Sequence, residues 1–141
     1  MVDDIDEKIL ALLEENSRMT YVEIGNSVGL SEGAVRNRVQ ALLNTGVIKR
    51  FTIEKAFRVG VRALTMISVD PSVATFEVSK AVGNLDGVEK IYEVTGEYDI
   101  IIVSSSSSIE GINVTIEDVR KTTGVTKTNT VIVLRTVDVN E

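Results

Sequence analysis

Apolar side chains recur at helical spacing in three short stretches of the first fifty residues. In the first stretch they occupy positions i, i+4, i+7 and i+8, which are Ile5, Ile9, Leu12 and Leu13. Asp3 and Asp4 offer caps for the start of this helix. The second stretch opens with a capping box from Thr20 to Glu23 and stops at Gly29. The pattern predicts two short helices, the second of only about two turns.

The third stretch begins at Ser31, a favourable cap residue, and closes at Gly46. Its core-facing positions are Val35, Val39, Leu42 and Leu43. An extended segment is expected to begin at Val47 and Ile48. A short helix, a glycine-containing turn and a second helix with a polar outer face form the helix-turn-helix plan, whose second helix enters the major groove of DNA.

The rest of the chain follows the order β-α-β-β-α-β. The predicted elements are a strand over 61–69, a helix over 73–85, strands over 88–95 and 100–104, a helix after residue 107 and a long strand over 125–137. Ser72 is expected to cap the first helix, and Ser107 to open the second in a capping box with Glu110. The inward positions of that second helix are Ile109, Ile112, Ile116 and Val119.

This order is that of a ferredoxin-like domain, an antiparallel sheet with both helices on one face, so the other face needs a cover such as another subunit. We therefore predict an α+β protein. A helix-turn-helix DNA-binding domain occupies residues 1–50, and a ferredoxin-like effector-binding and oligomerisation domain occupies residues 61–141. Residues 51–60 are poor in Gly, Ser and Pro and are predicted to form a linking strand.

Positive charge is concentrated in one part of an otherwise acidic chain. The chain carries 15 Lys and Arg, 21 Asp and Glu and a net charge of −6. Residues 31–62 contain seven Lys and Arg against two acidic residues, whereas both flanking regions are net negative. Such a patch favours a polyanion, because each cation near a phosphate releases a counterion. The helix-turn-helix plan indicates double-stranded DNA.

A helical wheel of the third helix identifies the side chains that would face DNA. Asn37 and Gln40 lie opposite the core stripe, and their amides can pair bidentately with adenine. Arg36 and Arg38 lie on the flanks and would reach phosphates or, for Arg36, a guanine edge. The predicted DNA-binding set is Ser31, Gly33, Arg36, Asn37, Arg38, Gln40, Lys49 and Arg50. A three-helix unit with a merely solvated face would look similar, but the charge count favours DNA.

Composition weakens most catalytic hypotheses. The chain has no cysteine and no histidine, which removes thiolate nucleophiles, disulfides, the usual zinc ligands and the commonest general base near pH 7. We expect no catalytic residues, no metal and no cofactor. No segment reaches the ~20 apolar residues of a membrane span, and the acidic start is unlike a secretory signal, so a soluble cytoplasmic protein is expected.

Five short motifs follow one another over about 45 residues: Asp3-x-x-Asp6-x-x-Ile9-Leu10, Glu23-Ile24-Gly25, Val28-Gly29-Leu30-Ser31, Val35-x-x-Arg38-Val39-x-x-Leu42 and Gly46-Val47-Ile48. Their joint order and spacing resemble the N-terminal domain of the Lrp/AsnC regulators, also called feast/famine regulatory proteins. The resemblance implies a sequence-specific transcription regulator. It also implies a C-terminal domain that builds homodimers, commonly assembled into octamers, and binds a free amino acid between subunits.

The resemblance extends to the segment from Val94 to Asp99, which matches the family's Gly-x-x-Asp connection between the second and third strands. There, backbone amides and the acidic side chain hold the carboxylate and ammonium groups of the effector. By the same resemblance two threonines of the last strand line the pocket, and Tyr98 is expected to form an aromatic wall. The implied effector-binding set is Gly96, Glu97, Tyr98, Asp99, Asp118, Thr128 and Thr130. An ordinary hairpin turn is the alternative.

The effector itself is less constrained. Four carboxylates would supply more negative charge than one α-ammonium group needs: Glu93, Glu97, Asp99 and Asp118. If they converge, they favour a basic amino acid such as lysine. Asp118 lies off the apolar stripe of its helix, so it is either solvated or crosses an interface.

Two other functions stay open at this point. One is a ferredoxin-like metabolite sensor whose N-terminal helices bind a protein partner in place of DNA. The other is an enzyme that uses Glu97 and Asp99 as an acid/base pair, although no nucleophile, metal cluster or phosphate loop accompanies them. We expect a transcription regulator and not an enzyme.

Overall fold

The structure is a computed structural model in which residues 1–55 and 59–139 are described. The chain divides into two compact units, Met1–Ala56 and Phe57–Glu141. Its elements are α1 (Asp4–Glu15), α2 (Tyr21–Val28), α3 (Glu32–Asn44), β1 (Val61–Val69), α4 (Thr75–Gly83), β2 (Val88–Glu93), β3 (Ile100–Ser106), α5 (Ile109–Lys121) and β4 (Val125–Ile132). No helix in these described ranges is long and apolar enough to cross a bilayer.

The first unit consists of the three predicted helices around a small apolar core. The buried side chains of this core are Ile9, Leu13, Ile24, Val35 and Val39. Each helix begins at a predicted cap: Asp3 for α1, Thr20 for α2 and Ser31 for α3. The caps satisfy backbone N–H groups that have no partner within their own helix.

The turn between α2 and α3 depends on two glycines. Gly29 ends α2 in the left-handed conformation, with a φ of 75°. Gly25 lies inside α2, where a Cβ atom would fall 2.4 Å from the carbonyl oxygen of Leu30. The close approach of these two backbone segments sets the angle at which α3 leaves the turn.

The linking strand predicted over residues 51–60 is not seen in the described part of this single chain. Residues 51–55 lie outside any helix or strand. A strand requires a hydrogen-bonded neighbour, and these residues pair with no strand of the described chain. Residues 56–58 of the same prediction lie outside the described residues.

The second unit confirms the ferredoxin-like prediction. Its antiparallel sheet has the strand order β2-β3-β1-β4. Both helices pack on one face, where the buried core consists of Ile67, Val78, Val82, Ile100, Ile102 and Val119. On the opposite face, neighbouring strands align a second apolar set, which we call the open face: Leu64, Met66, Tyr92, Ile101, Val103 and Val131.

Several predicted boundaries in this unit were wrong. Ser72 does not cap α4, because its amide and hydroxyl both bind the carboxylate of Asp70, at 2.8 and 2.6 Å; the cap residue is Ala74. The cap of α5 is Ser108 and not Ser107, since its hydroxyl accepts from the amide of Gly111 at 3.1 Å.

Two further differences concern α5 and the last strand. Ile109, predicted to face inward, is 55% exposed because it is the first residue of α5. The last strand ends at Ile132 and not at residue 137. Ile132 pairs with Ala63, and β1 begins at Val61, so only two residues of β1 remain as partners beyond this pair.

Candidate DNA-binding and effector-binding sites

The face of α3 opposite its core stripe is exposed, as the wheel predicted. Val35 and Val39 are fully buried. Gly33, Asn37 and Gln40 are exposed on the other side. The amide of Gln40 donates to Asn44 at 2.9 Å, and among the described residues its carbonyl oxygen and second N–H have no other partner.

Two neighbouring side chains contact the guanidinium group of Arg36. Its guanidinium forms an ion pair with Glu32, one turn earlier on α3. The same group lies over the ring of Tyr21, 5.8 Å from the ring centroid. The Arg36 side chain is still 63% exposed, so its remaining N–H groups can reach a phosphate or a guanine edge. Tyr21 and Glu32 were missed in the sequence because neither is basic.

Arg38 lies in a different contact from the predicted one. Its Nη1 atom donates to Asp3 Oδ2 at 2.8 Å and to Asp6 Oδ1 at 2.9 Å. The hydrogen bond from Arg38 lowers the pKa of the Asp3 carboxyl below its usual 3.8, and Asp3 in turn raises the pKa of Arg38. The predicted phosphate contact therefore has an intramolecular competitor.

The other predicted DNA contacts lie at the two ends of α3. The hydroxyl oxygen of Ser31 accepts from the amide of Ala34 at 3.2 Å, so its own O–H remains able to donate to a phosphate. Lys49 and Arg50 are exposed in the segment after α3, which is neither helix nor strand. Their charge is available to a polyanion.

The β2–β3 connection is held at the end of β1 by Asp99. The amide of Val94 donates to the carbonyl of Asp99, which closes the loop at 2.9 Å. The amide of Asp99 donates to the carbonyl of Ile67 at 2.9 Å, and the amide of Val69 donates to Asp99 Oδ2 at 2.7 Å. Asp99 thus has a structural role, while Oδ1 accepts no hydrogen bond among the described contacts.

Gly96 leaves space in front of this loop. Its φ is 112°, a conformation that side chains rarely adopt, and no heavy atom lies within 4 Å of the position of a Cβ. Next to it, Lys127 approaches Glu97 at 3.6 Å and lies over the ring of Tyr98, 5.6 Å from the centroid. The sequence interpretation missed Lys127 because it considered only the hydroxyls of β4.

The threonines of β4 lie on the helix-covered face. Thr128 pairs with Ile67 across the ladder, and its hydroxyl is 3.4 Å from the Nε atom of Arg120 on α5. The hydroxyls of Thr130 and Thr65 share a hydrogen bond of 2.9 Å. Asp99 lies next to β1 on its β3 side, and Thr128 lies next to β1 on its β4 side. The backbones of these two residues are therefore about two strand spacings apart, or ~10 Å.

The four carboxylates do not form one acidic cluster. Glu93 accepts from the hydroxyl of Ser79 at 2.7 Å, and Glu97 and Asp99 have the partners given above. The described contact of Asp118 is through its backbone carbonyl, which accepts from Thr122 at 3.0 Å. Among the described residues no group of three or more such side chains could hold a metal ion. The convergence that would favour lysine is thus not seen within one chain.

Comparisons with known proteins cover nearly the whole chain. An AsnC-type helix-turn-helix domain matches residues 2–43, and an Lrp/AsnC ligand binding domain matches residues 62–140. The chain is 45% identical to the HTH-type transcriptional regulator LysM of Sulfurisphaera tokodaii, covering 95% of this chain and 96% of that protein. It is 42% identical to the protein of the same name from Saccharolobus solfataricus, covering 96% and 95%.

Solved structures agree with these matches. AsnC of E. coli superposes with a TM-score of 0.79 at 26% identity, covering 96% of this chain and 94% of that chain. A feast or famine regulatory protein from M. tuberculosis complexed with L-methionine superposes with a TM-score of 0.86 at 26% identity, covering 99% and 97%.

Proposed function

This chain belongs to the Lrp/AsnC family of helix-turn-helix transcriptional regulators, and we propose that α3 reads its operator while the β2–β3 connection binds a free amino acid. The protein is a DNA-binding regulator whose activity an amino-acid effector modulates. The observation that carries the assignment is the exposed row of Asn37 and Gln40 opposite the fully buried Val35 and Val39.

In this assignment Asn37 and Gln40 read base edges, most favourably those of adenine. Arg36 reads a guanine edge or a phosphate, and Gly33 allows close approach of the backbone to DNA. Ser31, Lys49 and Arg50 hold phosphates and set the register of the helix without reading sequence.

The proposed effector site lies in front of Gly96, with the free Oδ1 of Asp99 accepting from the α-ammonium group. Glu97 and the ring of Tyr98 already hold one ammonium group, that of Lys127, so a basic amino acid such as lysine, which must displace Lys127 to reach them, is the first candidate. A cationic side chain finds the same two partners there. Thr128 and Thr130 lie across β1 from Asp99, and these threonines and Asp118 would join the site from the helix side or from another subunit.

A second copy of the chain is the proposed cover for the open face. Six apolar side chains on that face make a homodimer favourable, and dimers would assemble further into octamers. In a dimer, two copies of α3 would enter successive major grooves about 34 Å apart on a palindromic site. The proposed location is the cytoplasm, where DNA and free amino acids are both present.

Selection of genomic fragments by the purified protein tests the whole proposal. The selection is run at about 0.15 M salt, where charge-only binding is weak, alone and with each of the twenty amino acids. Recovery of one palindromic site whose occupancy changes with a single amino acid is expected. Recovery without any amino-acid effect would remove the effector site, and no recovery would favour a protein partner over DNA.

A Gln40→Ala variant is the control for the selection. It keeps every charge of the chain and should lose the preference for the recovered site while it retains binding to random DNA. A variant that recovers the same site as the wild type would show that α3 reads DNA through other residues.

A further inference from the structure

Arg38, Asp3 and Asp6 form a closed network that joins the recognition helix to the start of α1; we call it the Arg38 clamp. Asp3 Oδ1 accepts from the amides of Ile5 and Asp6, at 3.0 and 2.8 Å. Asp6 Oδ2 accepts from the amide of Asp3 at 3.1 Å, which completes a capping box. The remaining oxygens, Asp3 Oδ2 and Asp6 Oδ1, both accept from Arg38 Nη1. All four carboxylate oxygens are thereby engaged.

The clamp is partly withdrawn from water. The Asp6 side chain is 11% exposed and that of Arg38 is 31% exposed, whereas the Arg36 side chain is 63% exposed. A carboxylate as buried as Asp6 needs a charged or hydrogen-bonding partner, since an unpaired buried charge is costly. Arg38 is its charged partner, beside one hydrogen bond from the amide of Asp3. Moving its guanidinium to a DNA phosphate would leave Asp6 without it.

The clamp acts next to the proposed base-reading residues. Arg38 follows Asn37 directly and precedes Gln40 by two positions, so a bond that fixes Arg38 also fixes the rotation of these two amides about the axis of α3. Base-edge hydrogen bonds fail over displacements of well under 1 Å, whereas attraction to phosphates tolerates them. A fixed helix is therefore needed for sequence reading and not for general DNA binding.

We propose that Arg38 is a positioning residue that, with Asp3 and Asp6, holds the recognition helix in register for reading bases and does not itself contact phosphate. This inference rests on the proposed DNA-reading role of α3. It replaces the phosphate contact that the helical wheel predicted for Arg38. The two roles predict opposite changes in operator affinity when Asp3 and Asp6 are neutralised.

Neutralising the two acidic partners separates these roles. Residues 1–55 carry nine acidic residues against seven basic ones, so the loss of acidic charge favours binding to any DNA. If Arg38 contacts phosphate, release from Asp3 and Asp6 should strengthen binding to operator and random DNA alike. If the clamp positions α3, the same change should weaken the operator complex while it strengthens the random one.

The experiment compares the double variant Asp3→Asn/Asp6→Asn with the double variant Asp4→Asn/Glu7→Gln. Both remove two negative charges from the start of α1, but Asp4 and Glu7 are exposed and lie outside the described contacts of Arg38. Dissociation constants are measured by fluorescence anisotropy for the selected operator and for a random duplex of equal length, after thermal melting has shown each variant to be folded.

The clamp predicts that the preference for operator over random DNA falls about tenfold in the first variant, the loss expected when one base contact is displaced. The second variant should keep the wild-type preference. Equal preference in the two variants would overturn the clamp. A wild-type protein without any preference would overturn the proposed function as well, so the two failures are distinguishable.

Two further variants test the inference separately: the first disturbs the fold least, and the second measures whether Arg38 neutralises a phosphate. Asp3→Asn alone keeps a cap residue as good as aspartate and should lower the preference by a smaller factor. Arg38→Gln, measured on random DNA, should leave the slope of log K against log salt unchanged. A slope reduced by about 0.9 would show that Arg38 neutralises a phosphate and would overturn the inference.

Discussion

Asn37 and Lys49 have contrasting proposed roles: Asn37 reads a base edge, and Lys49 attracts the phosphate backbone. The Asn37→Ala variant should weaken operator binding by about 1–3 kcal/mol and leave random DNA nearly unaffected, because only a base edge uses the amide. The Lys49→Ala variant should weaken both and reduce the salt slope by about 1. Titrations at several salt concentrations measure both quantities, and equal losses for the two variants would contradict these roles.

Asp99 combines a structural contact with a proposed ligand contact. An asparagine keeps an oxygen for the amide of Val69 but removes the negative charge that an ammonium group needs. The Asp99→Asn variant should lose amino-acid binding in calorimetry and melt close to the wild type, with operator affinity unchanged in the absence of amino acid. Asp99→Ala should also melt earlier. If the asparagine variant binds the amino acid as tightly as the wild type, the proposed effector site is eliminated.

Asp3 gives a pH dependence with a defined sign. Its hydrogen bond to Arg38 depresses its pKa in the folded protein below 3.8. The ionised form therefore stabilises the fold above about pH 4, and this stabilisation is lost as the pH falls through the depressed pKa. The difference in melting temperature between the wild type and Asp3→Asn should shrink from pH 6 to pH 3. A difference that stays constant would show that Asp3 does not titrate as described.

Predictions for single residues succeeded where they concerned only the direction in which a side chain leaves its helix. The wheel placed Asn37 on the outside because helical periodicity is local. It could not place Arg38, whose partner Asp3 lies 35 positions away and is chosen by how α1 packs on α3. The same holds for Lys127 and Glu97, which meet only because the sheet brings their strand ends together.

At the scale of elements, the turn between α2 and α3 depends on a single missing side chain. A Gly25→Ala substitution puts a methyl group 2.4 Å from the carbonyl oxygen of Leu30, so the turn must shift. We expect a loss of about 1–3 kcal/mol in the free energy of unfolding. Gly33→Ala, in open space on α3, should stabilise the helix by up to about 1 kcal/mol. Chemical denaturation measures both, and equal effects would refute the close approach at Gly25.

Element boundaries could be predicted where they depend on neighbours in sequence. The caps of α1, α2 and α3 follow from side chains within three positions of the amides they bind. The start of α4 could not be predicted, because Asp70 competes for Ser72. The end of β4 could not be predicted either, since it depends on where β1 begins.

At the scale of the whole molecule, the pattern of strands and helices predicted both units, because the order of elements leaves few topologies open. It also predicted that one face of the sheet would need a partner. The structure adds which side chains that face presents. Leu64 and Val131 are direct neighbours across the β1–β4 ladder, and Tyr92 lies opposite Ile101 on the β2–β3 ladder.

Val131 offers a direct test of the proposed dimer, because this residue is 45% exposed in the single chain and its replacement costs the monomer little. In a dimer that covers the open face, a Val131→Asp substitution buries an unpaired carboxylate and should raise the dimer dissociation constant at least about a hundredfold, equivalent to ~3 kcal/mol. Val114→Asp, on α5 and 60% exposed, adds the same charge away from this face and should leave the dimer intact. Sedimentation at micromolar concentration separates the species. A Val131→Asp variant that sediments as the wild type would mean that a second copy does not cover the open face, and the palindromic spacing of two recognition helices would then need another interface.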